Sequence, residues 1–282
     1  MAEPSSAEDR GPGTGGAAGA GPGRAGDDPA PSRCEGPDGN EIVYDDRGEG
    51  PPVVLLHGFA ASSLVNWRRP GVAAALAGSG YRVLTPDLRG HGRSGSPGDP
   101  AAYGAGAFAA DLIAVLDHAR LGAAVLGGYS LGARVALLAA AAEPRAAALV
   151  LAGVGESLLG GSDARGTDRI ADAMEARRVG DIEDRSGRAF RAFADATHAD
   201  LIALARIQRA LPAWPAPDPA AVGVPALVIA GSEDSLAGDP GPLAKAIPGA
   251  VAATVPGNHM NAMLDPAFAR RIAAFLDGLE RW

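Results

Sequence analysis

The sequence predicts an α/β protein built on a mostly parallel sheet with helices on both faces. Short runs of consecutive apolar residues occur at 53–56, 123–126 and 226–229, and such runs are typical of strands that are covered on both faces. Stripes with helical spacing lie between the runs, for example over 108–119 and 268–279. Regular alternation of strands and helices favours parallel pairing, because each helix carries the chain back to the edge from which the next strand starts.

Seven strands can be assigned from the apolar runs. In chain order they are Ile42–Tyr44, Val53–Leu56, Tyr81–Thr85, Ala123–Leu126, Ala148–Leu151, Ala226–Ile229 and Val251–Val255. The last helix has the clearest start, because Asp265 is a good N-cap and Pro266 suits the first helical position.

Composition divides the chain into three parts. Residues 1–36 are rich in Gly, Ala and Pro and are predicted to be a disordered tail, because they have little apolar surface to bury. Residues 37–155 and 223–282 are predicted to form the α/β core. Residues 156–222 contain helical patterns and no good strand, so they are expected to form a small helical cap over one edge of the sheet.

Charge and cysteine content restrict the partners and the compartment. The formal net charge is −8, whereas proteins that neutralise many phosphates are usually basic, so we expect no nucleic-acid partner. A lone cysteine, Cys34, allows no intrachain disulfide. The N-terminus has no signal-peptide pattern, and no apolar run reaches membrane-spanning length. These features favour a cytoplasmic protein without a membrane partner, and they leave the oligomeric state open.

The motif that carries chemistry is Gly128-Tyr129-Ser130-Leu131-Gly132, a G-x-S-x-G pattern. It follows an apolar strand and precedes a helical stripe, which is the strand, turn and helix order that a nucleophile elbow needs. In a glycine-rich chain the pattern alone is weak evidence, and its position between a strand and a helix is what gives it weight. Ser130 is therefore the predicted nucleophile.

A serine nucleophile needs a base, and the base needs an acid that orients it. The chain order Ser, Asp/Glu, His selects His259, which follows the last strand. His57 ends an early strand and is expected to bond to nearby backbone instead. Asp234, after the strand 226–229, fits the acid best, and Glu156, after an earlier strand, is the alternative.

Acyl transfer also needs donors for the developing oxyanion. His57-Gly58-Phe59 follows a predicted strand, and we call these three residues the oxyanion loop. The backbone N–H groups of Phe59 and Leu131 are the expected donors. Phe59, Trp67 and Tyr129 are expected to line the substrate pocket. Scattered histidines and the single cysteine give no metal-ligand spacing, so no metal and no cofactor are expected.

Together these motifs resemble the α/β-hydrolase superfamily over about Glu41 to Trp282. The resemblance rests on the oxyanion loop, the elbow, residues 87–94 (DLRGHGRS), residues 231–234 (GSED) and Asn258-His259. It implies an eight-stranded sheet with one antiparallel strand and a cap after the sixth strand. The subgroup it is similar to contains small esterases, enol-lactonases, haloperoxidase-like perhydrolases and carbon–carbon bond hydrolases.

The resemblance implies a serine hydrolase that cleaves a small or medium ester, lactone or thioester through an acyl-serine intermediate. Two alternatives stay open: a carbon–carbon hydrolase on the same triad, to which Asn66-Trp67 is a hint, and a ligand-binding protein without catalysis. Related dehalogenases and epoxide hydrolases carry aspartate at the elbow, so Ser130 argues against both activities. A small-molecule substrate is expected in each catalytic case.

Overall fold

The computed structural model describes residue 1 and residues 30–160 and 164–279, with an eight-stranded sheet at its centre. In chain order the strands are β1 (Ser32–Glu35), β2 (Glu41–Arg47), β3 (Pro52–Leu56), β4 (Arg82–Pro86), β5 (Ala124–Tyr129), β6 (Ala146–Ala152), β7 (Ala226–Gly231) and β8 (Val251–Val255). Across the sheet their order is β1-β2-β4-β3-β5-β6-β7-β8.

Strand direction agrees with the predicted architecture. β2 runs antiparallel to both of its neighbours, β1 and β4. All other adjacent pairs are parallel. The sheet therefore has one antiparallel strand, and the expected mostly parallel eight-stranded sheet is confirmed.

Helices cover both faces of this sheet, as predicted. The described helices are α1 (Val72–Gly78), α2 (Ala105–His118), α3 (Leu131–Ala140), α4 (Ala164–Glu175), α5 (Arg185–Ala196), α6 (Leu201–Ala210), α7 (Pro240–Ala246) and α8 (Pro266–Asp277). Apolar side chains of α2, α3 and α7 share one core cluster, and those of α1 and α8 share another. Alternate residues of β3 divide between the clusters, Val54 facing the first and Val53 the second, because side chains of a strand point to opposite faces.

The N-terminal boundary of the core was predicted wrongly. Strand β1, with the sequence SRCE, lies inside the segment 1–36 that composition assigned to a disordered tail. It is a short edge strand whose residues are exposed or half-buried, so no apolar run marks it; antiparallel pairing of Ser32 with Tyr44 and of Glu35 with Glu41 holds it in place. Residues 2–29 of the predicted tail lie outside the described residues.

The segment between β6 and β7 is helical, as expected of a cap. It contains α4, α5 and α6, and their buried side chains belong to the same core cluster as α2 and α3. A hydrogen bond from Thr197 Oγ1 to Ala60 O, 3.0 Å long, ties the end of α5 to the residue after the oxyanion loop. The cap is therefore packed directly on the edge of the sheet where the parallel strands end.

Two buried histidines fix the loops that follow β3 and β4. His57 accepts a hydrogen bond from Leu88 N at Nε2 (2.9 Å), and its Nδ1 lies 2.8 Å from Gly58 O. His91 accepts from Ala60 N at Nε2 (3.2 Å), and its Nδ1 lies 3.1 Å from Arg89 O. Because a carbonyl can only accept, Nδ1 carries the proton in both rings and both histidines are neutral. His57 therefore has the backbone-bonding role that its position at a strand end predicted.

Burial keeps these rings neutral, and this makes folding sensitive to acid. Desolvation lowers the pKa of His57, and desolvation together with the neighbouring His57 lowers the pKa of His91 to about 3. An unfolded histidine titrates near pH 6.5. Below that pH the unfolded chain binds protons that the folded chain does not, so stability is fully present above about pH 6.5 and is lost as pH falls.

We predict that the free energy of unfolding falls between pH 6.5 and 4.5, and that His91→Gln makes this decline shallower. The glutamine amide can still accept from Ala60 N but binds no proton, so the variant loses a slope of about 1.4 kcal/mol per pH unit. Urea unfolding at a series of pH values measures the slope. His198→Gln, at an exposed position after α5, is the matched control and should keep the parent slope. Equal slopes in parent and His91→Gln would contradict the role given to this ring.

Candidate active site

The G-x-S-x-G motif forms a sharp turn between β5 and α3. Ser130 has φ 52° and ψ −108°, a left-handed backbone conformation that costs a non-glycine residue of the order of 1–3 kcal/mol. Side chains on the flanking glycines would collide with backbone, that of Gly128 with Gly132 and that of Gly132 with the carbonyls of Leu56 and His57. The glycines therefore allow the tight turn, which presents the Ser130 hydroxyl at the end of the sheet.

The structure brings the three predicted catalytic side chains together. His259 Nε2 lies 3.1 Å from Ser130 Oγ, and His259 Nδ1 lies 3.0 and 2.9 Å from the two carboxylate oxygens of Asp234. Each of these residues follows the carboxyl end of a parallel strand, β5, β7 or β8, so the topology places all three at one edge of the sheet. The arrangement can take a proton from Ser130 Oγ onto His259 Nε2 while Asp234 holds Nδ1–H.

Asp234 is held as an anion. Its carboxylate also accepts hydrogen bonds from Leu236 N (3.1 Å) and Ala237 N (2.9 Å). Burial alone would raise the pKa of Asp234, but the hydrogen bond and charge of His259 and the two N–H groups lower it below its ordinary value. A carboxylate that stays ionised is the partner that fixes the Nδ1–H tautomer of His259.

The His259 loop is anchored by the residue before the nucleophile. Tyr129 donates a hydrogen bond from its hydroxyl to His259 O, 2.8 Å away. Burial, followed by the nearby Asp234 carboxylate, raises the pKa of Tyr129, so the hydroxyl remains a donor. Tyr129, predicted as a substrate contact, does line the pocket, and its hydroxyl positions the histidine loop.

The structure distinguishes Asp234 from Glu156 as the carboxylate partner of His259. Glu156 is exposed and opens a short 3₁₀ turn after β6. Among the described residues, its carboxylate has no hydrogen bond to His259, whereas Asp234 contacts the ring with both oxygens. The interaction with His259 thus belongs to the residue after β7.

The two expected oxyanion donors flank Ser130. Leu131 is the first residue of α3, so its N–H has no partner within the helix. The oxyanion loop closes on the elbow: a Cβ added to Gly58 would lie 3.5 Å from the Cβ of Ser130. Phe59 N follows directly, and neither it nor Leu131 N has an acceptor among the described residues. Both N–H groups are therefore available to an oxyanion.

A pocket of about 240 Å³ opens beside Ser130. Its wall is mostly apolar and draws on the oxyanion loop, the cap and the His259 loop. The rings of Phe59 and Phe190 pack at 5.7 Å between centroids, which joins the oxyanion loop to α5. The lining residues are Gly58, Phe59, Ala61, Val65, Asn66, Arg69, Tyr129, Ser130, Phe190, Phe193, His259, Met260, Met263 and Leu264. Phe59 thus lies where the sequence placed it.

Trp67 was predicted to line this pocket, and that prediction is wrong. The indole is fully buried on the other face of the sheet, with ring centroids 6.5 Å from Tyr129 and 6.4 Å from Phe268. On the helical turn Leu64–Arg68, Val65 and Asn66 face the pocket, whereas the next residue, Trp67, faces the core. Asn66 was missed as a site residue, although it accepts a 2.7 Å hydrogen bond from Gly58 N and so holds the oxyanion loop. The sequence offered only the pair Asn66-Trp67, shortly after the oxyanion loop, as a signal.

The described residues offer no group of three or more His, Cys, Asp or Glu that could hold a metal ion. Over the same part of the chain, no helix is long and apolar enough to cross a membrane.

Comparison with known proteins agrees with the fold. Residues 51–184 match the family model described as the alpha/beta hydrolase fold. A curated epoxide hydrolase from Caballeronia sordidicola is 40% identical over 106 residues, which cover 38% of this chain and 31% of that protein. The chain therefore spans less than a third of that relative's length.

Solved structures resemble the chain over most of its length. A hydrolase from Pseudomonas aeruginosa PA01 is 28% identical with a TM-score of 0.72, covering 91% of this chain and 100% of that one. The enol-lactonase from Burkholderia xenovorans LB400 is also 28% identical, with a TM-score of 0.65 over 85% of this chain and 98% of that one. With the sheet topology and these likenesses together, the chain has the α/β-hydrolase fold, and residues 51–184 match the model of that family.

Proposed function

We propose that this chain is a serine hydrolase that cleaves a small or medium carboxylic ester, lactone or thioester through an acyl-Ser130 intermediate. The observation that carries the proposal is the continuous hydrogen-bonded line from Asp234 through His259 to Ser130 Oγ at the floor of an apolar pocket. Serine is a weak nucleophile without such a base.

The mechanism follows from the positions of these groups. Ser130 Oγ attacks the acyl carbon while its proton passes to His259 Nε2, and the N–H groups of Phe59 and Leu131 stabilise the oxyanion. The tetrahedral intermediate collapses, the bond to the leaving group breaks, and His259 returns the proton to that group. Water, deprotonated by the same histidine, then attacks the acyl carbon, and the acid leaves as Ser130 regains its proton.

The serine nucleophile, Ser130, argues against epoxide hydrolysis by this chain, although one relative is named an epoxide hydrolase. Attack on an epoxide carbon by a carboxylate forms an ester, which water can cleave at its carbonyl. Attack by Ser130 would form an alkyl ether, which has no carbonyl for water to attack. A serine at the elbow is therefore suited to acyl transfer, in which the intermediate is itself an ester.

Pocket size favours short substrates. At about 240 Å³ the pocket lies below the range of about 300–1,000 Å³ that is usual for sites of drug-sized ligands. Its phenylalanine, methionine and leucine side chains suit a short hydrocarbon chain. Long acyl chains would have to leave the pocket past Met260 and Leu264, which are exposed.

We predict that kcat/KM for para-nitrophenyl esters is highest for short acyl chains. The measurement is a series of esters from acetate to dodecanoate. We also predict that Ser130→Ala lowers kcat on a short-chain ester by about 10⁶-fold with the fold intact. Ser79→Ala, an exposed serine at the end of α1, is the control and should match the parent. A maximum at long chains would refute the small-pocket account. Turnover of a ring-cleavage diketone without any ester hydrolysis would favour a carbon–carbon hydrolase.

We predict that Asp234→Asn lowers kcat by about 10⁴-fold, because an amide that donates to Nδ1 stabilises the wrong tautomer of His259. Glu156→Gln should leave kcat within about twofold, since surface substitutions remote from the site have small effects. Both values come from initial rates on one short-chain ester. Reversed effects would assign the acid to the residue after β6.

A further inference from the structure

Arg69 is the one formally charged side chain among the described residues that line the pocket. We propose that it selects substrates that carry a carboxylate in addition to the scissile acyl group. The inference rests on the proposed acyl-serine function and names the class of substrate that this pocket takes.

The helical turn Leu64–Arg68 aims Arg69 toward the site. Val65, Asn66 and Arg69 line the pocket, whereas Trp67 points into the core beneath the sheet. Asn66 and Arg69 are the two polar side chains that this segment gives to the pocket lining, and together they form its polar wall. Arg69 is exposed and stands at the rim of that wall.

Arg69 also differs from its neighbours Arg68 and Arg93 because it forms no salt bridge with a carboxylate of the described residues. Arg68 lies 3.4 Å from Asp45, and Arg93 lies 2.7 Å from Asp45 and 2.8 Å from Asp87. No carboxylate of the described residues lies within 4.0 Å of Arg69, and none lines the pocket. On a chain with a net charge of −8, a guanidinium without a counterion in the pocket that holds the nucleophile is a local attractor for anions.

Asn66 supplies a second donor on the same wall. Its Oδ1 accepts from Gly58 N at 2.7 Å, which turns the Nδ2 amide group away from the oxyanion loop. The side chain is only 4% exposed, and no described residue accepts a hydrogen bond from Nδ2. A carboxylate oxygen can accept from both a guanidinium and an amide.

The apolar residues of the pocket wall indicate the chemistry of the part of the substrate that does not bear the carboxylate. Phe190, Phe193 and Met263 offer only apolar contacts, and Ser130 lies in the same pocket. The complementary molecule is therefore a short ester or lactone whose hydrocarbon part bears a carboxylate. A neutral ester of the same length would fit the shape but leave Arg69 unused.

The test compares two esters that differ in this charge and by one methyl group: para-nitrophenyl hemiglutarate and its methyl ester. We expect the parent protein to prefer the acid by roughly tenfold in kcat/KM, since hydrogen bonds to charged groups contribute more than neutral ones. Arg69→Gln should bring the ratio to about one, while Arg271→Gln, the same change of charge at an exposed site on α8, should keep it. Equal rates for both esters in the parent, or an equal fall in the two variants, would overturn the proposal.

Binding gives a readout that does not need turnover. The Ser130→Ala protein, titrated by calorimetry with the monophenyl ester of glutaric acid and with methyl phenyl glutarate, should bind the acid more tightly, and Arg69→Gln in that background should remove the difference. If neither para-nitrophenyl ester is hydrolysed but the acid still binds more tightly, carboxylate recognition is supported and the acyl-serine function fails. If both esters are hydrolysed but bind and react alike, the function stands and the role of Arg69 is refuted.

Discussion

The left-handed backbone of Ser130 is the constraint on which the rest of the site depends. A φ angle of 52° at Ser130 lets the chain turn from β5 into α3 within one residue. The Ser130 hydroxyl and the N–H of Leu131, the first residue of α3, are therefore next to each other at the turn. The strained turn persists because its surroundings fix it: Ser130 N donates to Ala152 O at 2.7 Å, and Gly128 and Gly132 leave no side chain to clash. A larger residue at Gly132 would have to push the elbow away from β3, and one at Gly128 would have to push α3 away from the end of β5.

The parallel sheet then determines which loops can reach that hydroxyl. Loops after β3, β5, β7 and β8 all start from one edge, so Phe59, Ser130, Asp234 and His259 meet there although they are distant in sequence. Asn66 holds the oxyanion loop at Gly58, and His91 and the Thr197 hydroxyl of the cap hold Ala60, the residue after the loop. Preorganised donors of this kind stabilise charge without reorganising during the reaction.

Much of this could be predicted because it depends on local sequence. The elbow is visible because the G-x-S-x-G pattern around Ser130 lies between a strand and a helix, and His259 is visible from its position after the last strand. Strand β1 could not be found, since three polar residues and one cysteine at an edge form no apolar run and depend on pairing with β2. Trp67 was assigned to the pocket wrongly for a related reason. Whether a side chain on the turn Leu64–Arg68 faces the pocket or the core depends on how the turn packs against the sheet. Asn66 faces the pocket, and the next residue, Trp67, faces the core. The position of Asn66 and Arg69 in the pocket lining also depends on that packing, which the sequence does not show.

The central claim is that an acyl group is carried by Ser130. The direct test is rapid-quench mass spectrometry of the protein mixed with a short para-nitrophenyl ester, followed by peptide mapping. The account predicts a transient adduct of the acyl mass on the peptide that contains Ser130, formed at the rate of the nitrophenol burst and lost at the rate of turnover. Turnover with the acyl group on another residue, or with Ser130 unmodified under conditions that trap the intermediate, would contradict it.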